Sequence, residues 1–418
     1  MPNKFIFPSG FLWGAATSAH QVEGGNRNDW IKWERTNAGR LAAEAASKLS
    51  RLRNWPEIRA QAEDPANYIS GRACDHYHRF REDFGIARQL GHNAHRFSIE
   101  WSRVEPEEGK FDERAIEHYR EVIRALRERG MEPFVTLWHW TLPLWLCERG
   151  GILAPDFPER FANYAKRMGV ALGGDVRLWM TLNEPTSVIA NGYHRGVWPP
   201  QERSFGKVRR AYRALADAHR QGYRALHETV PGAEVGFGNI LLFLEPASAS
   251  PLDRLAVRFW EHWANERFLK MIGDTNDYYA LQYYFHFRVA FPKRIRNVNK
   301  HVSDLGWELY PEGLYHLIKG FQKFRKPIYI TESGLADAAD RQRAWFIQRS
   351  LEAMARAGTE GADVRGYFHW SLLDNFEWDK GFWPRFGLVE VDYRTLERKI
   401  RSSAWEYKKI IEANAIEF

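Results

Sequence analysis

The sequence predicts a single (β/α)8 TIM barrel with extended loops, and three observations lead to this fold class. Eight short apolar runs alternate with longer amphipathic segments, as expected of βα units around a parallel sheet. The chain has 418 residues, beyond the roughly 250 that such a barrel needs, so the excess is expected in loops. No internal repeat or Pro/Gly/Ser-rich linker divides the chain, so residues 1–418 are predicted to form one domain.

The eight predicted strands are short runs of apolar, aromatic and β-branched residues. In chain order they are FLWGAATS (11–18), NAHRFSIEW (93–101), EPFVTLWHW (132–140), VRLWMTLN (176–183), EVGFGNILL (234–242), YYALQYYF (278–285), PIYITES (327–333) and VRGYFHWSLL (364–373). Eight strands, most of them followed by a helix-like segment, match the count of a (β/α)8 barrel.

The helices are predicted from amphipathic segments rich in alanine, arginine and glutamate. The clearest of them are residues 117–130, 158–174, 208–230 and 340–358. The largest insertion, residues 37–73, separates the first two strands, and its stretch AAEAASKLSRLRNWPEIRAQAE predicts further helix. We expect this insertion to flank the barrel mouth; a surface elaboration is the alternative.

Charge and targeting signals exclude several classes of protein. Lys+Arg number 60 against 53 Asp+Glu, a net charge of +7, but the basic residues alternate with acids and alanines and no recognition motif accompanies them. No nucleic-acid partner is therefore expected. The start MPNKFIFPSGFLWG has no apolar core of a signal peptide, and no apolar run approaches the roughly 20 residues of a membrane span. We expect a soluble cytoplasmic protein without a membrane partner.

The sequence also predicts neither a metal site nor a cofactor site. The two cysteines, Cys74 and Cys147, have no metal-type spacing and do not form a disulfide framework, which fits a reducing compartment. The HYH stretch at 76–78 lacks further ligands near it, and no cofactor motif is present. The 18 tryptophans combine an apolar face with a hydrogen-bonding edge, which suits sugars and other flat ligands.

Polar residues at the ends of the predicted strands indicate a convergent site. In a barrel of this type, active sites collect at the C-terminal ends of the strands. A buried charge without a partner is costly, so polar groups at these positions are not explained by core packing. The residues concerned are Gln21 after the first strand, Arg96 in the second, His139 and Trp140 ending the third, Glu184 and Glu332 ending the fourth and seventh, and Trp370 in the eighth.

Two of these residues, Glu184 and Glu332, would face each other across the barrel axis. Glycoside cleavage needs one carboxyl group to protonate the leaving oxygen and a second to attack or to activate water. A separation of about 5–5.5 Å gives retention of configuration and about 6.5–9.5 Å gives inversion. The residue pattern predicts the pair and leaves the distance open.

Six motifs in the same chain resemble glycoside hydrolase family 1, the β-glucosidase and β-galactosidase family. They are FLWGAATSAHQVEG, HRFSIEWSRVEP, TLWHWTLPLWL, TLNEP, ITESG and HWSLLDNFEW. The resemblance covers the chain from about residue 5 to residue 410, and the motifs fall in the order of the family. The combination SIEWSRVEP with the long first insertion is most similar to the archaeal-type branch.

The resemblance implies a retaining double displacement with assigned roles. Glu184 in TLNEP would be the general acid and then the general base, and Glu332 in ITESG would be the nucleophile. Arg96 and Tyr284 would hydrogen-bond the nucleophile and keep it ionised. Asn183 would hold the sugar 2-hydroxyl.

The resemblance also implies a set of residues that hold the terminal sugar. Its members are Gln21, His139, Trp140, Glu377 and Trp378, with Trp370 as the stacking floor. An ordinary packing role stays open for Trp140, Trp370 and His139. The expected substrates are terminal β-D-glucosides of small molecules or short oligosaccharides, and also β-galactosides or β-fucosides.

Some positions depart from the family pattern. Gln282 replaces an asparagine and is expected close to the acid/base; Ser333 and Trp383-Pro384 are the other departures, and they are expected to alter substrate preference before activity. His20 replaces an aromatic residue and is left out of the site.

Two other functions stay open. A 6-phospho-β-glycosidase would share both glutamates, but the Glu377 carboxylate would repel a substrate phosphate. A non-catalytic sugar-binding barrel is the second alternative. The sequence leaves the natural aglycone and the oligomeric state open, including a homo-oligomer.

Overall fold

Eight parallel strands close into a barrel in the computed structural model, which describes residues 4–292, 294–296 and 301–417. They are β1 (Leu12–Ala16), β2 (Ala94–Ser98), β3 (Glu132–Trp138), β4 (Leu178–Asn183), β5 (Glu234–Pro246), β6 (Tyr279–Ala290), β7 (Ile328–Ser333) and β8 (Val364–Trp370). Each strand pairs in parallel with the next, and β8 pairs with β1 to complete the ring. The predicted (β/α)8 TIM barrel is therefore confirmed.

Helices surround the barrel, one segment after each strand. They are α1 (His76–Gln89), α2 (Glu113–Glu128), α3 (Phe157–Leu172), α4 (Phe205–Thr229), α5 (Pro251–Glu261, continued by His262–Glu266 and Arg267–Ile272), α6 (Glu312–Gln322), α7 (Arg343–Thr359) and α8 (Ser402–Ala413). Helix α2 illustrates their local origin, since the Asp112 side chain accepts from the backbone N–H groups of Arg114 and Ala115 and caps the helix. Its apolar residues recur at helical spacing and face the barrel.

Short elements complete the fold. Lys4–Ile6 pairs antiparallel with Ala415–Glu417, Arg294–Arg296 pairs antiparallel with the end of β6, and Val389–Val391 pairs with Arg398–Ile400. Short helices lie at Ala19–Val22, Trp101–Val104, Leu144–Glu148, Pro185–Val188 and Ile189–His194, and 3-10 turns at Pro65–Tyr68, Gly151–Leu153 and Trp378–Lys380.

The predicted strands exist, but some of their bounds are wrong. Strands β2, β3 and β8 end before residues 99–101, 139–140 and 371–373, because the chain there turns out of the sheet. Strands β5 and β6 are longer than predicted and stay paired from Gly238–Ala280 to Pro246–Val289.

The insertion between β1 and β2 also differs from its predicted bounds. Its first helix, Asp29–Leu49, begins well before residue 37, and a second helix follows at Trp55–Ala62. Arg40, Leu41 and Lys48 of the first helix line the large cavity at the barrel mouth. Trp383 packs against Ala45, Ile58 and Ala62 and so joins the insertion to the loop after β8.

Aromatic rings fill the inside of the barrel. The Phe134 ring meets the rings of Tyr278, Tyr329 and Phe368 edge to face, with centroids 5.6, 5.7 and 5.5 Å apart. Such contacts leave no channel through a barrel of this size, whose interior is filled by side chains. Arg96 pairs in register with Phe134, so the guanidinium of the site comes from the strand next to this aromatic filling.

Candidate active site

One cavity of about 630 Å³ opens among the loops that follow the C-terminal ends of the strands. Of the eleven predicted site residues, ten line it: Gln21, His139, Trp140, Asn183, Glu184, Tyr284, Glu332, Trp370, Glu377 and Trp378. The other, Arg96, is fully buried beside them and contacts Glu332. The structure therefore brings the whole predicted set together.

Glu332 lies in β7 and receives hydrogen bonds from three side chains. Arg96 Nη1 donates to Oε1 over 2.5 Å, and the Tyr284 hydroxyl donates to Oε2 over 2.9 Å. Gln282 Nε2 also donates to Oε1, over 2.8 Å. Burial raises the pKa of Glu332, while the Arg96 charge and the hydrogen bonds from Arg96 and Tyr284 oppose that rise. All three donors favour the ionised carboxylate.

Asn183 is fixed by the same network. Its Oδ1 accepts from Arg96 Nη2 (2.6 Å) and from Gln282 Nε2 (2.7 Å), which places its amide nitrogen on the other side. That nitrogen lies 3.1 Å from His139 Nε2, which is therefore the acceptor. Burial lowers the pKa of His139 well below its usual value, so the ring is neutral and carries its proton on Nδ1. Among the described residues, His139 Nδ1 has no hydrogen-bond partner.

Glu184 directly follows β4, and its surroundings differ from those of Glu332. Its backbone takes the left-handed conformation with φ of 40°, and Pro185 begins the short helix that follows rather than merely ending the strand. The Ser187 hydroxyl donates to Oε2 over 2.8 Å. Burial raises the pKa of Glu184 well above its usual value, and the nearby charge of Glu332 raises it further. Glu184 is thus the group of the pair that keeps a proton.

Close packing of two strand ends brings the aromatic floor next to Glu332. A Cβ added at Gly334 would lie 1.9 Å from the carbonyl oxygen of Trp370, so only glycine fits after the ITES stretch. Trp370 is the last residue of β8, and its ring stacks near His139 with centroids 6.0 Å apart.

The rings of Trp140, Trp198 and Trp378 pack together in the lining of the cavity. The rings of Trp140 and Trp378 have centroids 4.6 Å apart, and Trp140 Nε1 donates to the Asn183 carbonyl over 2.9 Å. Trp140 and Trp378 both have positive φ, 79° and 50°, like Glu184. Non-glycine residues adopt this conformation at a cost, and such positions cluster at functional sites.

Gln21 and Glu377 form the polar end of the site. Gln21 Nε2 donates to the Phe376 carbonyl (2.8 Å) and to Asn375 Oδ1 (2.9 Å), and lies 3.5 Å from Glu377 Oε2. The Glu377 side chain keeps some exposure to the cavity, yet its surroundings raise its pKa to about 8, chiefly through burial, with Asp379 and Glu332 adding to the rise. Glu377 is therefore largely protonated at neutral pH.

Gln282 was expected close to the acid/base, and the structure shows hydrogen bonds from it to Asn183, which directly precedes Glu184, and to the other glutamate, Glu332. Gln282 is fully buried in β6, does not line the cavity, and donates to Glu332 and Asn183. The other departures also lie outside the lining: Ser333 is buried in β7 and Trp383 packs against the insertion. Their effect on substrate preference stays a prediction.

His20 lies behind the cavity. It contacts Glu34 Oε1 at 2.7 Å and stacks on the Trp378 ring with centroids 5.2 Å apart. Burial opposes the charged form of His20, but the carboxyl groups around it, Glu34 above all, together outweigh burial and raise the pKa of His20.

Comparison with known proteins decides the family. The model of Glycosyl hydrolase family 1 matches residues 3–286 and 284–416. The chain belongs to glycosyl hydrolase family 1. It is therefore a glycosidase. Glycoside cleavage uses a pair of carboxyl groups, and Glu184 and Glu332 line the same cavity.

Relatives of this family 1 chain match it over almost its full length. Beta-glucosidase A of Thermotoga maritima is 32% identical over 462 residues, covering 98% of this chain and 99% of that protein. The solved β-glycosidase from Pyrococcus horikoshii is 36% identical with a TM-score of 0.87, covering 100% of this chain and 97% of that chain. The family 1 β-glucosidase from Thermotoga maritima in complex with isofagomine lactam is 30% identical with a TM-score of 0.88, covering 99% and 100%.

The described residues of this family 1 chain contain neither a metal-ligand cluster nor a membrane-spanning helix. No group of three or more His, Cys, Asp or Glu side chains among them is placed to hold a metal ion. No described helix combines the length and the apolar character that crossing a membrane requires.

Proposed function

We propose that this family 1 chain is a retaining, exo-acting β-glycosidase that hydrolyses terminal β-D-glucosyl residues, and also β-galactosides and β-fucosides. One observation carries the proposal. Glu332 and Glu184 line one cavity, and they differ in their partners: Arg96, Tyr284 and Gln282 stabilise a charge on Glu332, whereas Glu184 is buried and receives one hydroxyl donor from the described residues. This asymmetry is what a nucleophile and an acid require.

The first step forms the covalent glycosyl-enzyme. The ionised Glu332 carboxylate attacks the anomeric carbon, and the bond from that carbon to the leaving oxygen breaks. Glu184 gives its proton to this oxygen, so the aglycone departs as a neutral alcohol. Loss of the Glu184 proton places a negative charge in the cavity at the moment when the charge of Glu332 disappears into the ester.

The second step hydrolyses this ester. Glu184, now ionised, takes a proton from water, and the water oxygen attacks the anomeric carbon while the bond to Glu332 breaks. Both carboxyl groups return to their starting states. Two inversions at the same carbon retain its configuration.

The terminal sugar would lie against Trp370 and be held by Gln21, His139, Trp140, Glu377 and Trp378. Trp370 offers an aromatic plane to a C–H face, and the unpartnered Nδ1–H of His139 offers a donor to a hydroxyl. Asn183 Nδ2 is the group for the 2-hydroxyl, since Arg96 and Gln282 hold its oxygen away. The Thermotoga maritima enzyme solved with isofagomine lactam supports a site for small sugar-like molecules.

Proton NMR of an aryl β-D-glucoside digest tests the proposal. Retention predicts that β-glucose is released first, before mutarotation mixes the anomers. Release of α-glucose first would show an inverting enzyme and would remove the nucleophile role from Glu332. The same digest with galactoside and fucoside substrates tests the wider specificity.

The two alternatives make different predictions in that digest. Because the pKa of Glu377 is raised to about 8, repulsion of a phosphate by this carboxyl group would act fully only above that pH. A 6-phospho-β-glycosidase would cleave only the 6-phosphorylated glucoside, and a sugar-binding barrel would cleave none.

The single domain 1–418, the cytoplasmic location and a homo-oligomer stay predictions.

A further inference from the structure

The outer part of the cavity contains two sets of side chains that the proposed chemistry does not use. The first is a cationic rim, Arg40, Lys48, Arg195 and Lys380, and the second is an aromatic wall, Phe285, Phe287, Trp307 and Phe386. Both sets line the same cavity as Glu184 and Glu332. They therefore lie where a leaving group extends from the terminal sugar.

The aromatic wall begins beside the nucleophile and runs outward. The Tyr284 ring, whose hydroxyl contacts Glu332, lies 6.1 Å from the ring of Trp307. The ring of Trp307 lies 4.7 Å from that of Phe285, which stacks on Phe287 at 5.8 Å with an interplanar angle of 11°. Phe285, Phe287 and Trp307 are half-buried, so they present ring surface to the cavity. A flat aglycone can pack along this wall.

The cationic rim carries more positive than negative charge. Glu44 pairs with Arg40 (3.0 Å) and Lys48 (2.5 Å) of the same helix. Asp379 pairs with Lys380 (2.6 Å) and accepts from Trp198 Nε1 (3.0 Å). Four cations thus share two carboxylates.

Arg195 is the rim cation that is offset only at longer range, by Asp379, whose pKa Lys380 and then Arg195 help to lower against burial. Its guanidinium donates to the neutral amide oxygen of Asn191 over 3.1 Å. Across the described ranges 4–292, 294–296 and 301–417, no carboxylate lies within ion-pair distance of it. A negatively charged group at the mouth would meet this excess positive charge.

We propose that this site prefers β-glycosides whose aglycone is an aromatic ring bearing a carboxylate. The ring packs on the aromatic wall and the carboxylate faces the cationic rim. The inner carboxyl groups do not oppose this arrangement, because Glu184 and Glu377 hold protons at neutral pH and Glu332 is paired with Arg96. The inference rests on the proposed β-glycosidase activity.

The test compares two substrates that differ in one charge, the β-glucosides of 4-hydroxybenzoate and of its methyl ester. The quantity to follow is the ratio of kcat/KM for the acid to that for the ester, measured at two salt concentrations and in variants. Differences in leaving-group reactivity cancel when this ratio is compared between conditions. Thermal unfolding checks that each variant folds.

If the cationic rim attracts the carboxylate, the acid-to-ester ratio of kcat/KM should depend on salt and on the rim charges. Raising salt from about 20 mM to about 500 mM should lower the acid-to-ester ratio about threefold to tenfold, because exposed charges are screened. The double variant Lys48→Gln/Arg195→Gln should lower it by about as much and make it insensitive to salt. Lys409→Gln removes a similarly exposed lysine on α8, away from the cavity, and should leave the ratio unchanged.

The wall predicts a different change. Phe287→Ala should raise KM for both glucosides about threefold to tenfold and leave their ratio unchanged. An acid-to-ester ratio that responds neither to salt nor to the double variant, while the ester is still hydrolysed, would overturn the inference and leave the β-glycosidase proposal standing. Hydrolysis of neither glucoside would refute the β-glucosidase proposal itself.

Discussion

The surroundings of Glu332 and Glu184 differ although the two side chains are chemically identical. Glu332 faces a guanidinium, a phenol and a primary amide, all of which donate to it. Among the described residues, Glu184 accepts a hydrogen bond from one side chain, the Ser187 hydroxyl; it is otherwise desolvated, and Glu332 is the neighbouring charge that raises its pKa most. Burial alone raises the pKa of both groups, so the partners decide which one ionises first.

The two carboxyl groups lie at the ends of different strands, and these strands give them different neighbours. Arg96 of β2 reaches Glu332 of β7 across the barrel interior, and Gln282 and Tyr284 of the neighbouring β6 add their donors. Glu184 follows β4, where only the turn into the next helix supplies a donor. One fold thereby gives the same residue type two different ionisation states, as the proposed nucleophile and the proposed general acid require.

The largest expected loss of activity follows from replacing Glu332 with a neutral residue. Glu332→Gln removes the nucleophile, and kcat should fall by about 10⁴-fold or more. The measurement is steady-state hydrolysis of an aryl β-D-glucoside. Glu406→Gln changes an exposed glutamate paired with Lys409 and serves as the matched control, which should retain wild-type activity. Substantial turnover by Glu332→Gln would contradict the nucleophile assignment.

Glu184→Gln should have a smaller effect that depends on the substrate. Loss of the acid costs about 10²–10⁴-fold for a leaving group that needs protonation. A 2,4-dinitrophenyl glucoside needs little protonation, so its first step should be nearly normal and a burst of the phenol should appear. Added azide, a small nucleophile that needs no general base, should speed the second step and give the β-glycosyl azide. Equal losses for good and poor leaving groups would argue against Glu184 as the acid.

Gln282 allows the surroundings of Glu332 to be tested separately from those of Glu184. Its side chain donates hydrogen bonds to Glu332 and to Asn183. Its N–H groups donate to the ionised carboxylate and so lower the pKa of Glu332; removing the donor must raise that pKa. Gln282→Leu should reduce kcat/KM about tenfold and move the acid limb of the pH profile to higher pH. Gln282→Asn should lie between Gln282→Leu and the wild type. A loss of activity with an unchanged acid limb would mean that Gln282 acts only on packing.

Gln282 also shows where prediction from the sequence stops. Glu184 and Glu332 could be placed because strand ends and motif order fix their positions in a barrel. The contact of Gln282 depends on the pairing of β6 with β7, in which the register shifts between Leu281 and Gln282 and sets Gln282 opposite Glu332. Such a bulge leaves no pattern in the sequence.

The outer cavity was missed for a different reason. The cationic rim comes from the insertion helix, the loop after β4 and the loop after β8, which are distant in sequence. Each of its residues looks like an ordinary surface cation in its own segment. Their proximity depends on loop conformation, which strand-end reasoning does not address.

The smallest expected effect is a shift in the pH profile caused by removing the hydroxyl group that contacts Glu184. The Ser187 hydroxyl donates to Glu184 Oε2 and favours the ionised form, which lowers the pKa of Glu184. Ser187→Ala must therefore raise that pKa, so activity that depends on the Glu184 proton should persist to higher pH. The alkaline limb of kcat/KM should move upward by about one pH unit or less, with the acid limb unchanged. Movement of the acid limb instead would assign that limb to Glu184 and reverse the roles of the two glutamates.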